Sequence, residues 1–429
     1  MSYTAAILDF AAAPHTLPPQ VRADAERLLA DTLAVGAAGA DSPGAKNLLG
    51  SISRAGSGEA ARSLNGWRAP EASAAFFNGF AIHCLEWDAV HEPAVVHALS
   101  VVTAALLAAS DRRGGSDPDA FLTALAIGVD IASGLGISAT GPMRFFRPAT
   151  AGVIGAALAV ARLDGLSRAQ MADVLGLAYS FAGGTMQAHV EASIALPLQI
   201  GRAAQAAVQA VDLVKATMDG PHDVLEGPFG YAALIEPLDL SRYTPTLGEI
   251  WRISEISIKP FPSGRASHAV LGTLADIRES GRSIQSITAH VPPLIQRLVG
   301  RPMTDVMTPG YARLCLPLLT ALMLRDGRVD PRRFTPETFA DPLIVELAQK
   351  VTVVLDGNPN GNALSPQRLE IIYADGSRDD HVIESTLGSP AAPMTSAQSA
   401  AKYDLCRALA PDADQRIFDD PRAYATEPQ

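Results

Sequence analysis

The sequence predicts a mainly α protein, with a large all-helical domain and a smaller α+β domain. Three observations lead to that class. From about residue 17 to 245, apolar residues recur at three- and four-residue spacing, the period of a helix with one buried face. Hydrophobic residues make up 48% of the 429 while aromatics are only 6%, so the core is built from small side chains that let helices approach closely. Beyond about residue 250 the period changes to alternation and a hairpin signal appears. The length suffices for two or three domains. The expected division is a helical domain over 1–250, completed by 392–429, and an α+β lid over 251–391.

"PPQVRADAERLLADTLAVGAAGA" opens the helical part, with prolines at its start and glycines at its end. "SAAFFNGFAIHCLEWDAV" has the same spacing and places Glu86 to Val90 at the end of its helix. "AVVHALSVVTAALLAASDRRGG" is apolar nearly all round, the mark of a buried helix. An Asp cap opens "DPDAFLTALAIGVDIASGLG". "TAGVIGAALAVARLDGLSRAQMADVLGLAYSFAGG" reads as two helices joined at Asp164-Gly165, the second capped by the Ser167 hydroxyl. "LPLQIGRAAQAAVQAVDLVKATMDG" is a further small-residue helix, and no strand is expected before about residue 250. After that, "WRISEISIKPFP" and "SIQSITAHVPP" predict strands, "VTVVLDGNPNG" a strand and turn, and "QRLEIIYADGSRDDHVIES" a hairpin around Asp375-Gly376. "PGYARLCLPLLTALMLRDG" is an intervening helix, and the helical tail "TSAQSAAKYDLCRALA" is expected to return to the first domain.

A formal net charge of −11 and the absence of a basic tract argue against nucleic acid, though a local cationic pocket can still bind an anion. Cys84, Cys315 and Cys406 are distant and odd in number, as in a reducing compartment. The N-terminal segment has no signal-peptide pattern, and the apolar run Ala94 to Ala109 is broken by His97 and too short to span a bilayer. The expectation is a cytoplasmic protein with no membrane partner.

"HCLEWDAVHEPAVVH", His83 to His97, concentrates titratable groups in an apolar neighbourhood. Pro93 breaks the helical pattern and places His97 near the N-terminus of the next buried helix. There the helix dipole disfavours the imidazolium, and a neutral imidazole is a candidate general base. The same residues also suit a hydrogen-bonded structural role. A metal set of Glu86, Asp88, His91 and His97 matches no compact ligand spacing, so neither metal nor other cofactor is expected. In "ISIKPFPSGRASH", Lys259 follows an apolar segment and is held by Pro260 and Pro262, a rigid setting for a carboxylate clamp or proton shuttle. Only five of the chain's 34 basic residues are lysines, which draws attention to it. A turn at Ser263-Gly264 carries Arg265. Arg147, in "RFFRPATAGVIGAA", precedes a helix start with small residues, a pattern that can bind an anion.

These stretches resemble the MmgE/PrpD family over most of the chain. "NGFAIHCLEWDAVH", "RFFRPATAGVIGAALAVARLDGLS", "GPHDVLEGPFGY", "IKPFPSGRASH" and "YARLCLPLLTALMLRDGRV" occur in the family's order. The resemblance implies a homodimer of helical and α+β domains, with a metal-free site between them. The implied chemistry is dehydration, decarboxylation or epimerisation beside a carboxylate of a small acid. It assigns His97, Lys259 and Asp88 to catalysis, with Glu86 and His91 as secondary acid–base candidates. Arg147, Arg265, Ser263, Leu196, Gln199 and Leu318 are the substrate-binding candidates. Leu196 stands where the family has a lysine, Arg147 where it has a histidine, and Cys315 and Leu318 where it has a serine and a tyrosine. The expected substrate is therefore a small carboxylate less charged than a tricarboxylate. The alternative is a binding or assembly protein that keeps the fold without the chemistry, and a metal-dependent hydrolase is a third reading.

Overall fold

The computed structural model describes residues 2–428 other than 56, 57, 59, 361 and 362. The helical domain begins with α1 (Tyr3–Ala12), α2 (Pro19–Ala40), α3 (Pro43–Ile52) and α4 (Glu71–His83). It continues with α5 (Ala98–Arg112), α6 (Pro118–Ser138), α7 (Arg147–Leu163) and α8 (Arg168–Ser180). The short α9 (Gln187–Val190) precedes α10 (Ala195–Lys215), and α11 (Tyr231–Leu234) closes the series. Asp117 caps α6 through its side chain, and Ser167 forms a capping box with Gln170 at the start of α8. Gly165, at φ +74°, makes the turn from α7 that Asp164-Gly165 predicted.

Every residue of α5 from Ala98 to Asp111 is buried. α6 is long and apolar enough to cross a membrane by composition, but its apolar stretch is buried in the helical core. Close approach depends on small residues, as at the α4–α10 crossing. A Cβ on Gly79 would stand 2.9 Å from Gly201 Cα, and one on Gly201 would stand 2.3 Å from the Phe76 carbonyl oxygen. This crossing sets the distance between His83, at the end of α4, and Leu196, at the start of α10.

The second domain contains α12 (His268–Arg278), α13 (Pro293–Val299), α14 (Pro309–Ala312), α15 (Leu316–Asp326), α16 (Pro336–Phe339) and α17 (Pro342–Gln349). They accompany a four-stranded sheet of β3 (Ile284–Val291), β4 (Val351–Leu355), β5 (Gln367–Tyr373) and β6 (Arg378–Ile383), in the order β4-β3-β5-β6. The β3–β4 pair is parallel and the other two are antiparallel. On β5 the alternate residues Gln367, Leu369, Ile371 and Tyr373 are buried. Gly376, at φ +81°, turns the β5–β6 hairpin. Gly361, the end of the turn predicted after β4, lies outside the described residues. The tail helix α18 (Ser396–Leu409) packs back on α2, where the Lys402 ammonium is 2.6 Å from Asp31 Oδ1, both groups buried.

Four local expectations are corrected. Helix α4 stops at His83, so Glu86 to Val90 are not helical, and Glu86 is left-handed at φ +55°. "WRISEISIKPFP" forms a 3₁₀ turn over Arg252–Glu255 instead of a strand. The Arg252 N–H donates to Asp130 Oδ2 and its guanidinium pairs with Glu255, so local bonds outcompete a ladder; a bridge between Val90 and Ser257 remains. "PGYARLCLPLLTALMLRDG" is broken into α14 and α15 by Arg313–Cys315, ahead of Pro317. A two-residue pairing of β1 (Ala61–Arg62) with β2 (Arg68–Ala69) precedes residue 250.

Gly201→Ala should lower stability by about 1–3 kcal/mol, because the added methyl meets backbone that cannot rotate away. Gly50→Ala, in α3 with nothing near the added carbon, should be neutral or stabilising by up to about 1 kcal/mol. Urea unfolding of the two variants checks both values.

Candidate active site

A small cavity lies where the two domains meet. Its volume, about 80 Å³, admits several water-sized groups. The helical domain contributes His83, Glu86, Glu92, His97, Phe146, His189 and Leu196 to its wall, and the second domain contributes Lys259, Arg265, Leu298, Leu314 and Leu364.

The chain reaches this geometry by breaking α4. Cys84 caps the helix, the Glu86 N–H donates to the His83 carbonyl at 2.9 Å, and the left-handed Glu86 reverses the path. Lys259 arrives from the second domain and donates to the Glu86 carbonyl oxygen at 3.0 Å. Its Nζ is also 3.4 Å from Glu86 Oε2 and 3.9 Å from Asp88 Oδ1. The chain then re-enters a helix at His97, the N-cap residue of α5.

Asp88 is the hub. Its Oδ2 accepts from His83 Nδ1 at 2.9 Å and from the Ser100 hydroxyl, and His97 Nδ1 lies 3.0 Å away. The two imidazole rings meet edge to face, 4.9 Å between centroids. Asp88 Oδ1, His83 Nε2 and His97 Nδ1 are buried and make no hydrogen bond among the described residues. Buried polar atoms without a partner are uncommon in folded proteins.

Burial alone would keep all these groups neutral, and their mutual charges decide otherwise. For Asp88, burial is outweighed by His83 and His97, and the carboxyl is held well below its usual range. For Glu86, burial is again outweighed, by Lys259 and the two histidines, and its pKa falls to about 2. The histidines diverge. Burial opposes protonation of His83, but Asp88 and Glu86 raise its pKa above the usual 6.5. Burial, reinforced by Lys259 and His83, lowers that of His97 despite Asp88. Two imidazoles whose pKa values are pushed in opposite directions therefore sit side by side. Burial and Arg301 bring His189, on the same wall, down to about 4.

The structure thus places His97, Lys259, Glu86, Arg265 and Leu196 on the cavity wall, with Asp88 behind them. It does not bring the remaining candidates there. His91 is buried, its Nε2 bonded to Glu255 and its Nδ1 accepting from the Ala94 N–H, so both ring nitrogens are occupied. Arg147 does not line the cavity: it forms a buried two-point pair with Glu236, Nε to Oε2 at 2.8 Å, and donates to the Ala94 carbonyl. Ser263 bonds Ser267 and His268 away from the cavity. Gln199 lines a neighbouring apolar cavity of about 370 Å³ with Phe76 and Phe181. Leu318 lies in the core of the second domain.

His83 and His189 were not singled out from the sequence, although His83 stood in the dense segment. One donor atom from each of His83, Asp88 and His97 lies within 4.8 Å of the others, so these three could hold a metal ion. Glu86 and His91 of the set weighed from the sequence are not part of that group.

The chain matches the MmgE/PrpD N-terminal domain over residues 8–240 and the MmgE/PrpD C-terminal domain over residues 261–420. It is similar to cis-aconitate decarboxylase of Mus musculus, 27% identical over 311 residues, or 66% of this chain and 61% of that protein. To cis-aconitate decarboxylase of Homo sapiens it is 26% identical over 330 residues, or 72% of this chain and 67% of that protein. The chain therefore spans under two thirds of the first relative's length. With family models matching both the helical part and the α+β part, the chain belongs to the MmgE/PrpD family.

Proposed function

We propose that this protein is a metal-independent lyase or isomerase that moves a proton next to a carboxylate of a small organic acid. The observation that carries the reading is the pair of histidines on Asp88, facing one cavity with the Lys259 ammonium. The names of its relatives support a lyase. The apolar wall and Leu196 support a substrate less charged than a tricarboxylate.

His97 is the base. In the tautomer that carries its proton on Nδ1, 3.0 Å from Asp88 Oδ2, the Nε2 lone pair can take the proton α to the carboxylate. The C–H electron pair moves into the adjacent carboxylate or carbonyl, and Lys259 balances the charge that develops there. His83, whose pKa Asp88 and Glu86 raise, is placed in its protonated form to protonate a leaving hydroxyl in an elimination, or the carbanion left by decarboxylation or epimerisation. Asp88 fixes both rings and has no direct part in the proton transfer.

His97→Gln should lower turnover by about 10²–10⁴-fold while keeping the fold, and Lys259→Met should lower it comparably. Deuterium uptake from D₂O into a panel of small acids measures the step directly, and full exchange in both variants would end the proposal. The rate should fall as pH drops through a pKa below 6.5, because protonation of His97 removes the base; Glu86, near 2, stays ionised throughout. Dialysis against a chelator should leave turnover unchanged, whereas loss with recovery on adding zinc would replace this mechanism with one built on a three-donor metal. Arg147→Ala should cost about 3–5 kcal/mol of stability by stranding Glu236, and Arg147→Met with Glu236→Leu should recover most of it, as read by thermal unfolding.

A further inference from the structure

We propose that Glu92 is a built-in carboxylate that occupies Arg265, so that the cavity accepts a monocarboxylate with an apolar chain and rejects di- and tricarboxylates of similar size. The inference rests on the reading of this cavity as the reaction site. Glu92 and Arg265 both line it, one from each domain. Arg265 Nη2 is 2.8 Å from Glu92 Oε1. The guanidinium is further engaged by the carbonyl oxygens of Leu387, at 2.6 Å, and Thr386, at 3.2 Å. The Ser257 hydroxyl also donates to Glu92 Oε1. Glu92 is held in place by its own backbone, whose carbonyl accepts from the Val95 N–H at 3.0 Å.

The charges around the cavity are matched in pairs among the described residues. Lys259 faces Glu86, Arg265 faces Glu92, and His83 faces Asp88. Among the lining residues no lysine or arginine is left over for a second or third substrate carboxylate, and such a group would meet Glu86 and Glu92; Arg301 and Arg313 stand behind the wall, donating to the carbonyl oxygens of His189 and Cys84. Lys259 has three N–H donors, and two are directed at Glu86. One remains for a single carboxylate. The rest of the wall suits hydrocarbon: Phe146, Met186, Leu196, Leu298, Leu314 and Leu364. Rejection by an unmatched like charge discriminates more sharply than one lost favourable contact.

Pentanoate and glutarate have equal chain length and differ by one carboxylate. Calorimetric titration of the full-length protein should show pentanoate binding at least about tenfold tighter than glutarate, with propane-1,2,3-tricarboxylate weaker still. Glu92→Gln keeps the shape and should shift that ratio towards glutarate by about tenfold. Adding Arg265→Met to Glu92→Gln should abolish the gain, since Arg265 receives the second carboxylate. Unfolding curves verify that each variant is folded. Tighter glutarate than pentanoate binding by the unaltered protein, or an unchanged ratio in Glu92→Gln, would overturn the assignment. Binding needs no turnover, so the two readings fail separately. Selective pentanoate binding with α-deuterium exchange indifferent to His97→Gln supports the specificity role and removes the base; exchange that depends on His97 with no effect of Glu92→Gln does the reverse.

Discussion

A buried ammonium group joins the two domains at the centre of the charge cluster on the cavity wall. Lys259 belongs to the segment that leads into the α+β domain, yet its donors go to the carbonyl and carboxylate of Glu86 in the helical domain. It is fully buried. A buried charge without partners would cost several kcal/mol. Here the cost is offset because Glu86 and Asp88 are buried beside it. The carboxylates depend on the lysine as much as it depends on them. The cluster forms only when both domains are in place, so folding and assembly of the site are one event.

The same mutual dependence separates the two histidines. Both lie beside Asp88. Two imidazolium rings 4.9 Å apart beside a lysine would repel, so a proton on one ring disfavours a proton on the other. Position decides which is favoured. His83 ends α4 and has Glu86 3.7 Å from its second nitrogen. His97 caps the start of α5, where the backbone N–H groups disfavour a second positive charge. Environments that push like groups apart in pKa are how one site supplies both an acid and a base.

Much of this was legible in the sequence. The helical period, the Asp164-Gly165 joint and the Asp375-Gly376 hairpin are local signals, and each has its mechanism in neighbouring residues. His97 was readable for the same reason: Pro93 breaks the chain and a buried helix follows. Long-range pairings were not readable. Arg147 looked like an open anion site because its partner, Glu236, is 89 residues away. His91 looked titratable because Glu255 lies beyond the helical domain's last long helix. His83 was passed over because the helix appeared to run on to Val90. Only the left-handed turn at Glu86, which no propensity favours at a glutamate, swings Asp88 back onto it. Gln199 and Leu318 were placed by resemblance, without local support, and both face elsewhere.

That turn has a counterpart nine residues on. Val95 also has a positive φ, +52°, and for a β-branched residue this is strained by about 1–3 kcal/mol. Both strained residues line the cavity, and each is held by a buried cation on a carbonyl at or next to it. Lys259 takes the Glu86 oxygen, and Arg147 takes the oxygen of Ala94 at 2.6 Å. The segment from Glu86 to His97 is therefore clamped near both ends, with Asp88 and Glu92 between the clamps. A neutral histidine at 147 would hold the carbonyl less firmly than a guanidinium, which is a permanent cation. Arg147 is also bound to Glu236 by two N–H groups, which fixes it in the scaffold of this segment. His83 and His97, with pKa values pushed in opposite directions, thus sit within a frame of ion pairs that holds the segment between them in place.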